Sequence, residues 1–266
     1  MTYREMHVAG SFYPSKADEI ESMIARFNTI LESHHDVRER FKTLSGNAFI
    51  VPHAGWVYSG FTANIAYRIL ETQNPKTVVV IGPSHRVGFE GASIADLDSY
   101  QTPLGELAID TALVKKLRQN FTLPYFPDAH CEHSTEVQMP FIKHYCPEAT
   151  LIEIVYSYAS ASQIEPIIAY CLAQPHTAVV ISTDLSHYYT LNQAKRLDSI
   201  CLESIQNNNT AKLHQGCEAC GIIGVEAMLN VARSQQLKST ILDYRTSADA
   251  SGDTSRVVGY MSALFS

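Results

Sequence analysis

Three histidines stand just past short apolar runs. Ala48-Phe49-Ile50-Val51 leads into Pro52-His53-Ala54-Gly55, and Thr77-Val78-Val79-Val80-Ile81 leads into Gly82-Pro83-Ser84-His85. Ala178-Val179-Val180-Ile181 leads into Ser182-Thr183-Asp184-Leu185-Ser186-His187. Imidazole both ligates transition metals and exchanges protons near neutral pH. A single histidine after such a run is commonly structural, but the threefold repetition raises the set above that reading. Delivered to one edge, the rings make a metal the natural occupant of a shared site. Imidazole suits iron, zinc and copper alike, so the strongest pair, His53 and His85, does not choose among them.

The third donor has several candidates. Cys217 and Cys220 form a single C-x-x-C followed by Gly221. A structural zinc site needs four ligands and no second C-x-x-C exists. A thioredoxin-like use would want the pair after a strand, whereas Leu213 to Glu218 reads as loop or helix. Cys220 acting alone is the sharper alternative, with Gly216, Gly221 and Gly224 allowing close backbone approach. Its thiolate is then expected to be the most oxidant-sensitive of the cysteines.

Groups suited to proton transfer lie nearby in sequence. His130-Cys131-Glu132-His133-Ser134-Thr135-Glu136 is dense in donors. His133 suits acid–base work, and Glu136 suits the outer carboxylate that fixes a ligand histidine's tautomer. The bland alternative is a helix start, with Ser134 as cap and Glu136 in the first turn. Asp184 precedes His187 by three residues and could orient it or cap a turn. A serine nucleophile at Ser84 or Ser186 lacks the G-x-S-x-G elbow, and no Gly-rich phosphate loop occurs.

The elements that must position these residues alternate in type. Apolar runs bounded by Gly, Pro and Ser read as buried parallel strands, and ligands in open α/β sheets sit beyond the strands' carboxyl ends. Helical spacing over Ala17 to Ser33 aligns Ile20, Met23, Ile24, Phe27 and Leu31. Further helices are expected at about Ser59 to Glu71, Thr135 to Cys146 and Ala161 to Ala173, and through about Leu191 to Arg233. Strands are expected at Leu151 to Tyr156, Ala178 to Ser182, Ser239 to Tyr244 and Arg256 to Phe265, and a polar loop at His34 to Lys42. The order predicts one three-layer α/β domain over residues 1–266, a mostly parallel or mixed sheet flanked by helices.

Composition narrows the function classes. With 45% hydrophobic and 18% charged residues the chain can bury a substantial core. A net charge of −7 with scattered Lys and Arg argues against a nucleic-acid partner. No run reaches the ~20 apolar residues of a membrane span, and the first residues lack a signal-peptide pattern, so a cytoplasmic location is expected. The six cysteines, mostly isolated, read as reduced core thiols.

Several of these segments together resemble the Memo family, whose prokaryotic members are called AmmeMemoRadiSam system protein B. The resemblance runs through Ala9-Gly10-Ser11-Phe12-Tyr13-Pro14, Pro52 to Gly60, Gly82 to His85, Tyr100 to Gly105, Glu132 to Glu136, Ser182 to Tyr188 and Cys220-Gly221. It covers essentially the whole chain. It implies a fold like that of the class III (LigB-type) extradiol dioxygenases, metal ligands at His53, His85 and Cys220, and further site histidines at His133 and His187. Cys217 has no counterpart in that pattern, which favours Cys220 alone.

The expectation is therefore a mononuclear centre with Fe(II) first and zinc or copper as alternatives. Redox chemistry with oxygen would draw on His133, His187, Asp184 and Glu136. The dioxygenases hold iron with two histidines and a carboxylate, so a thiolate in the carboxylate's place argues for the metal more firmly than for ring cleavage. Two other readings stand beside it. One is a module binding a small molecule or peptide, since an animal member of the family engages phosphorylated peptides. The other is a zinc-dependent hydrolase.

Overall fold

A computed structural model describes residues 2–33, 41 and 43–266; the polar loop expected at His34 to Lys42 lies almost wholly outside the described residues. The strands in chain order are β1 (Tyr3–Arg4), β2 (Ala48–Val51), β3 (Thr77–Pro83), β4 (Ala92–Ile94), β5 (Ser99–Thr102) and β6 (Gly105–Ala108). They continue with β7 (Thr150–Tyr156), β8 (Thr177–Ser182), β9 (His187–Tyr189), β10 (Ser239–Thr246) and β11 (Val257–Phe265). The main sheet runs β10-β11-β2-β8-β3-β7-β4, with β9 paired to β11, and a small sheet runs β1-β5-β6.

In the centre β2, β8, β3 and β7 are parallel; β4 and β11 run antiparallel to the central strands they flank, and β10 runs antiparallel to β11. The sheet is mixed, as an α/β fold with antiparallel edges allows. Every residue of β2, β3 and β8 is buried, which is why these strands read as unbroken apolar runs without alternation.

Helices cover the sheet to complete three layers. Trp56–Thr72 packs on β10, β11 and β2 with Ala17–Ser33 outside it, while Ala161–Leu172 and Ile222–Ser234 pack together over β8 and β3. The first pair meets closely where a Cβ at Gly60 would lie 2.8 Å from the Phe27 ring. The expected helix from Thr135 to Cys146 is two pieces, His133–Glu136 and Met139–Tyr145, because Pro140 opens the second. Its cap is Glu132, whose carboxylate takes the Ser134 N–H, so Ser134 does not have that role.

The cysteines depart from expectation. Cys131, Cys146, Cys171 and Cys220 are free, but Cys201 and Cys217 form a disulfide. Helix Leu191–Gln206 and the turn Thr210–Leu213 fold back on each other and bring the two Cα atoms to 4.9 Å, within bridging range. Sixteen residues of separation give no hint of this in the sequence.

One buried charge cluster ties the chain's start to the segment that carries His133. Arg4 donates to His130 O at 2.5 Å, to Glu132 O at 2.9 Å and to Glu136 at 2.6 Å. It also lies 3.5 Å from Glu153, which holds His130 Nδ1 at 2.8 Å and the Thr135 hydroxyl at 2.5 Å. Glu136 and Glu153 are fully buried, so their charges depend on this arginine. Arg4→Ala should destabilise the fold by about 3–5 kcal/mol, the cost of stranding buried partners. Chemical denaturation checks this; an unchanged midpoint would mean the carboxylates are satisfied without Arg4.

Candidate metal centre

β2, β8 and β3 are neighbours and end at the same edge, so their tips converge. Donor atoms of His53, His85 and Cys220 lie within 4.8 Å of one another. The His53 and His85 rings meet edge to face with centroids 5.2 Å apart, and His133 lies 4.6 Å from His85 and 5.4 Å from His53. His53 is buried, whereas His85 is exposed, so the cluster opens to solvent on the His85 side.

The network around His53 dictates its tautomer. Ser182 has one hydroxyl proton and gives it to Ser134 O at 2.5 Å. Ser182 Oγ is left as acceptor, receiving Gln138 Nε2 at 3.0 Å and His53 Nδ1 at 3.0 Å. Gln138 is itself fixed, because the same Nε2 donates to Pro52 O at 2.8 Å and its Oε1 accepts from Tyr67. Nδ1 of His53 therefore carries the proton, and a bare Nε2 faces Cys220 Sγ at 3.2 Å. Burial, reinforced by the His85 and His133 rings, holds His53 well below the ordinary imidazole value of 6.5. It is a neutral imidazole with a free lone pair at physiological pH.

Glu132 performs the same office for His85. Its carboxylate accepts the His85 backbone N–H at 2.7 Å and His85 Nδ1 at 3.1 Å, leaving that Nε2 bare as well. His133 Nδ1 sits 2.7 Å from the same carboxylate, too bent for a hydrogen bond, and Phe12 packs on its ring at 4.7 Å. Burial opposes Glu132's ionisation, but its contacts with His133 and His85 outweigh that and keep the carboxyl well below the usual carboxylate range.

The third tip supplies a carboxylate and, through it, the thiol. Asp184 is buried and accepts the backbone N–H groups of His53 at 2.7 Å and Ala54 at 3.3 Å. The Asp184 N–H points at Cys220 Sγ from 3.3 Å, and the Cys220 N–H returns to Asp184 O at 3.2 Å. Such an approach requires Gly221, where a Cβ would lie 2.7 Å from Thr183 Cβ and 2.9 Å from Ser182 O. Burial, with Asp184 alongside, pushes the Cys220 thiol up to about 12. In place of the free, oxidation-prone thiolate expected from sequence, Cys220 is a neutral thiol.

The remaining sequence candidates separate clearly. His187 is half-buried on β9, and a charge there bears on both His53 and Asp184. Glu136 is turned away from the imidazoles and accepts from Arg4, the His7 and Val8 N–H groups and the Tyr13 hydroxyl. The orienting carboxylate is Glu132, which holds the His85 ring, and not Glu136. His130 is bound to Glu153 and Ser93 within the structural cluster. Ser84 donates to Val87 O, and Ser186 Oγ has no hydrogen-bond partner among the described residues, so neither forms a nucleophilic triad there. Ser182 and Gln138 were missed; a serine at a strand end and a glutamine in a turn carry no periodic signal.

Two nitrogens with exposed lone pairs and one ionisable sulfur fit a borderline or soft divalent cation with positions left open. Among the described residues no helix is long and apolar enough to cross a membrane.

Comparison with known proteins accords with the motif pattern. A family model described as Memo-like protein matches residues 4–264. The chain is 32% identical over 281 residues to a MEMO1 family protein of Aquifex aeolicus, with all of both chains covered. It is 31% identical over 278 residues to a MEMO1 family protein of Thermotoga sp. (strain RQ2), and 30% over 277 to one of Nitrosopumilus maritimus; each match spans 98% of this chain and 99% of the relative. The chain belongs to the Memo family.

Proposed function

We propose that this chain holds one metal ion, iron first, on His53 Nε2, His85 Nε2 and Cys220 Sγ, and that it carries out redox chemistry with oxygen there. The observation that carries the reading is the mutual reach of these three donors, two of them with lone pairs freed by the hydrogen bonds of Ser182 and Glu132. Bound iron would supply one-electron exchange with oxygen at the positions the protein leaves open. The chain's own residues do the rest. Glu132 and Ser182 orient the rings, Asp184 fixes the backbone of the first tip, and His133 and His187 hold or deliver protons beside the bound substrate. A zinc-dependent hydrolase is the second reading, favoured by the sulfur donor where iron dioxygenases carry a carboxylate.

Replacing His53, His85 or Cys220 singly by Ala should weaken Fe(II) binding by more than the ~10–100-fold that outer carboxylates typically control. Anaerobic calorimetry measures this. If Cys220→Ala binds as tightly as wild type, the thiol is not a ligand. Metal analysis and substrate-dependent oxygen uptake then separate iron redox chemistry from zinc hydrolysis.

Glu132→Gln should lower metal affinity by about 10–100-fold, while Glu136→Gln should cost stability and leave affinity near wild type. The reverse pattern would restore the sequence-based assignment of the orienting group to Glu136.

Metal binding must also displace the Cys220 proton, because the thiol titrates only at about 12 without a cation. Below that value the metal-free state is protonated and the bound state is not, so apparent affinity should rise with pH. The slope should approach tenfold per unit, roughly one proton released per ion. Calorimetry in buffers of different ionisation enthalpy counts the proton; zero release would mean that sulfur binds as a thiol or not at all.

A further inference from the structure

The C-x-x-C pair divides its two sulfurs between different surroundings. Cys220 stays free, its Sγ 3.2 Å from His53 Nε2, while Cys217 is bonded to Cys201 on helix Leu191–Gln206. Only Glu218 and Ala219 separate the two cysteines. At most ~3.6 Å of chain per residue leaves their Cα atoms no more than about 11 Å apart. Whatever holds Cys217 therefore bears on Cys220.

The approach to Cys220 has few other holds. His214, Gln215, Gly216 and Glu218 are exposed, and Cys217 is the one buried residue among them. The Gln215 N–H donates to Lys212 O at 2.9 Å and the Cys217 N–H to Leu213 O at 3.1 Å. Both bonds close the turn onto the short helix Thr210–Leu213 just before it and reach no further. Its polar ties to the rest of the fold lie at the surface: His214 to Glu226 at 3.0 Å, and the Tyr189 hydroxyl to Glu218 at 3.0 Å. Such exposed pairs contribute little. Among the described residues the disulfide is thus the buried anchor of residues 214–218. The next firm hold comes only at the Cys220 N–H on Asp184 O and the Gly221 N–H on Thr183 Oγ1.

We propose that the Cys201–Cys217 bond is a reducible latch, opened by a dithiol, that sets how firmly Cys220 is held beside His53. Its effect on metal capture rests on the metal-centre reading; its effect on the Cys220 thiol does not. Cys201 is fully buried and Cys217 is 7% exposed, so an incoming thiolate meets Cys217 first. It attacks Cys217 Sγ, the sulfur–sulfur bond breaks, and the Cys201 sulfur leaves and takes up a proton. The reductant's second thiol then displaces Cys217 as a thiol, and the reductant departs as a disulfide. Two electrons and two protons pass to the cysteine pair. With its buried anchor gone, the exposed turn opens locally and loosens the residues leading to Cys220.

The test compares the full-length chain after oxidation by glutathione disulfide with the same chain reduced by dithiothreitol and freed of it without oxygen. Iodoacetamide labelling is followed cysteine by cysteine by mass spectrometry. Labelled after denaturation, the oxidised chain should show Cys201 and Cys217 blocked. Labelled in the native state, Cys220 should react about five- to tenfold faster once the bond is reduced, with Cys146 and Cys171 unchanged. A bond that served stability alone would speed all three together, and that result overturns the latch. Cys217→Ser should match the reduced chain and ignore the dithiol; Cys201→Ser should do the same and serves if the first variant fails to fold. Fe(II) affinity by anaerobic calorimetry should fall about fivefold on reduction. Equal Cys220 rates in the two states, or free Cys201 and Cys217 in the oxidised chain, overturn the proposal. A chain that binds no Fe(II) in either state sinks the metal centre, while the Cys220 labelling ratio still decides the latch.

Discussion

The central constraint is the order β2-β8-β3. Neighbouring strands in a sheet sit about 4.8 Å apart, so three adjacent parallel strands bring their tips within side-chain reach of one another. His53, Asp184 and His85 become neighbours because 30 to 130 residues of intervening chain are folded into crossovers behind that edge. The price is dense burial: β2, β3 and β8 have no exposed residue, and the polar tips leave a medium in which each unpaired donor or acceptor is costly. The hydrogen-bond geometry at the tips answers that demand first. The orientation of the imidazole rings follows from it.

Carboxylates resolve most of that demand, each on a different task. Asp184 gathers backbone N–H groups of the first tip; Glu132 holds the second tip by backbone and ring together. Glu136 and Glu153 anchor the segment between them to Arg4. The histidine-facing Glu132 and the structural Glu136 are thus only a few residues apart in sequence yet belong to separate networks. A side chain's direction from a short helix decides which network it joins, and residue type does not record that direction.

This accounts for what could be read in advance. Helix Ala17–Ser33 and the strands of the buried centre followed from periodicity and apolar runs, because burial on one stripe or on both faces leaves a direct pattern. His53 and His85 followed from strand-tip position. The small sheet β1-β5-β6 and helix Thr111–Asn120 did not, since two- to four-residue strands and a weakly apolar helix capped by Asp110 leave little periodic signal. Cys220 was one of several candidates until the family motif singled it out. Its placement depends on the Asp184 backbone and on Gly221, both remote from any local pattern.

The same geometry explains how a thiol can wait in this site without cost. An ionised sulfur beside buried Asp184 would place two negative charges in a poorly solvated edge. Kept protonated, with neutral His53 across from it, Cys220 adds no charge, and the preformed donor set avoids the desolvation of an unpaired thiolate. On the proposed metal reading, a divalent cation would change that balance by supplying the missing positive charge, so that sulfur ionisation and metal capture would be one event. The Cys201–Cys217 disulfide fastens the approach to this loop to helix Leu191–Gln206, three residues ahead of the thiol. Cross-linking there reduces the freedom of the loop in the unfolded chain and leaves Cys220 as the segment's one free sulfur. The fold thus leaves Cys220 as the one free thiol of this segment, held at a fixed point by the Asp184 backbone.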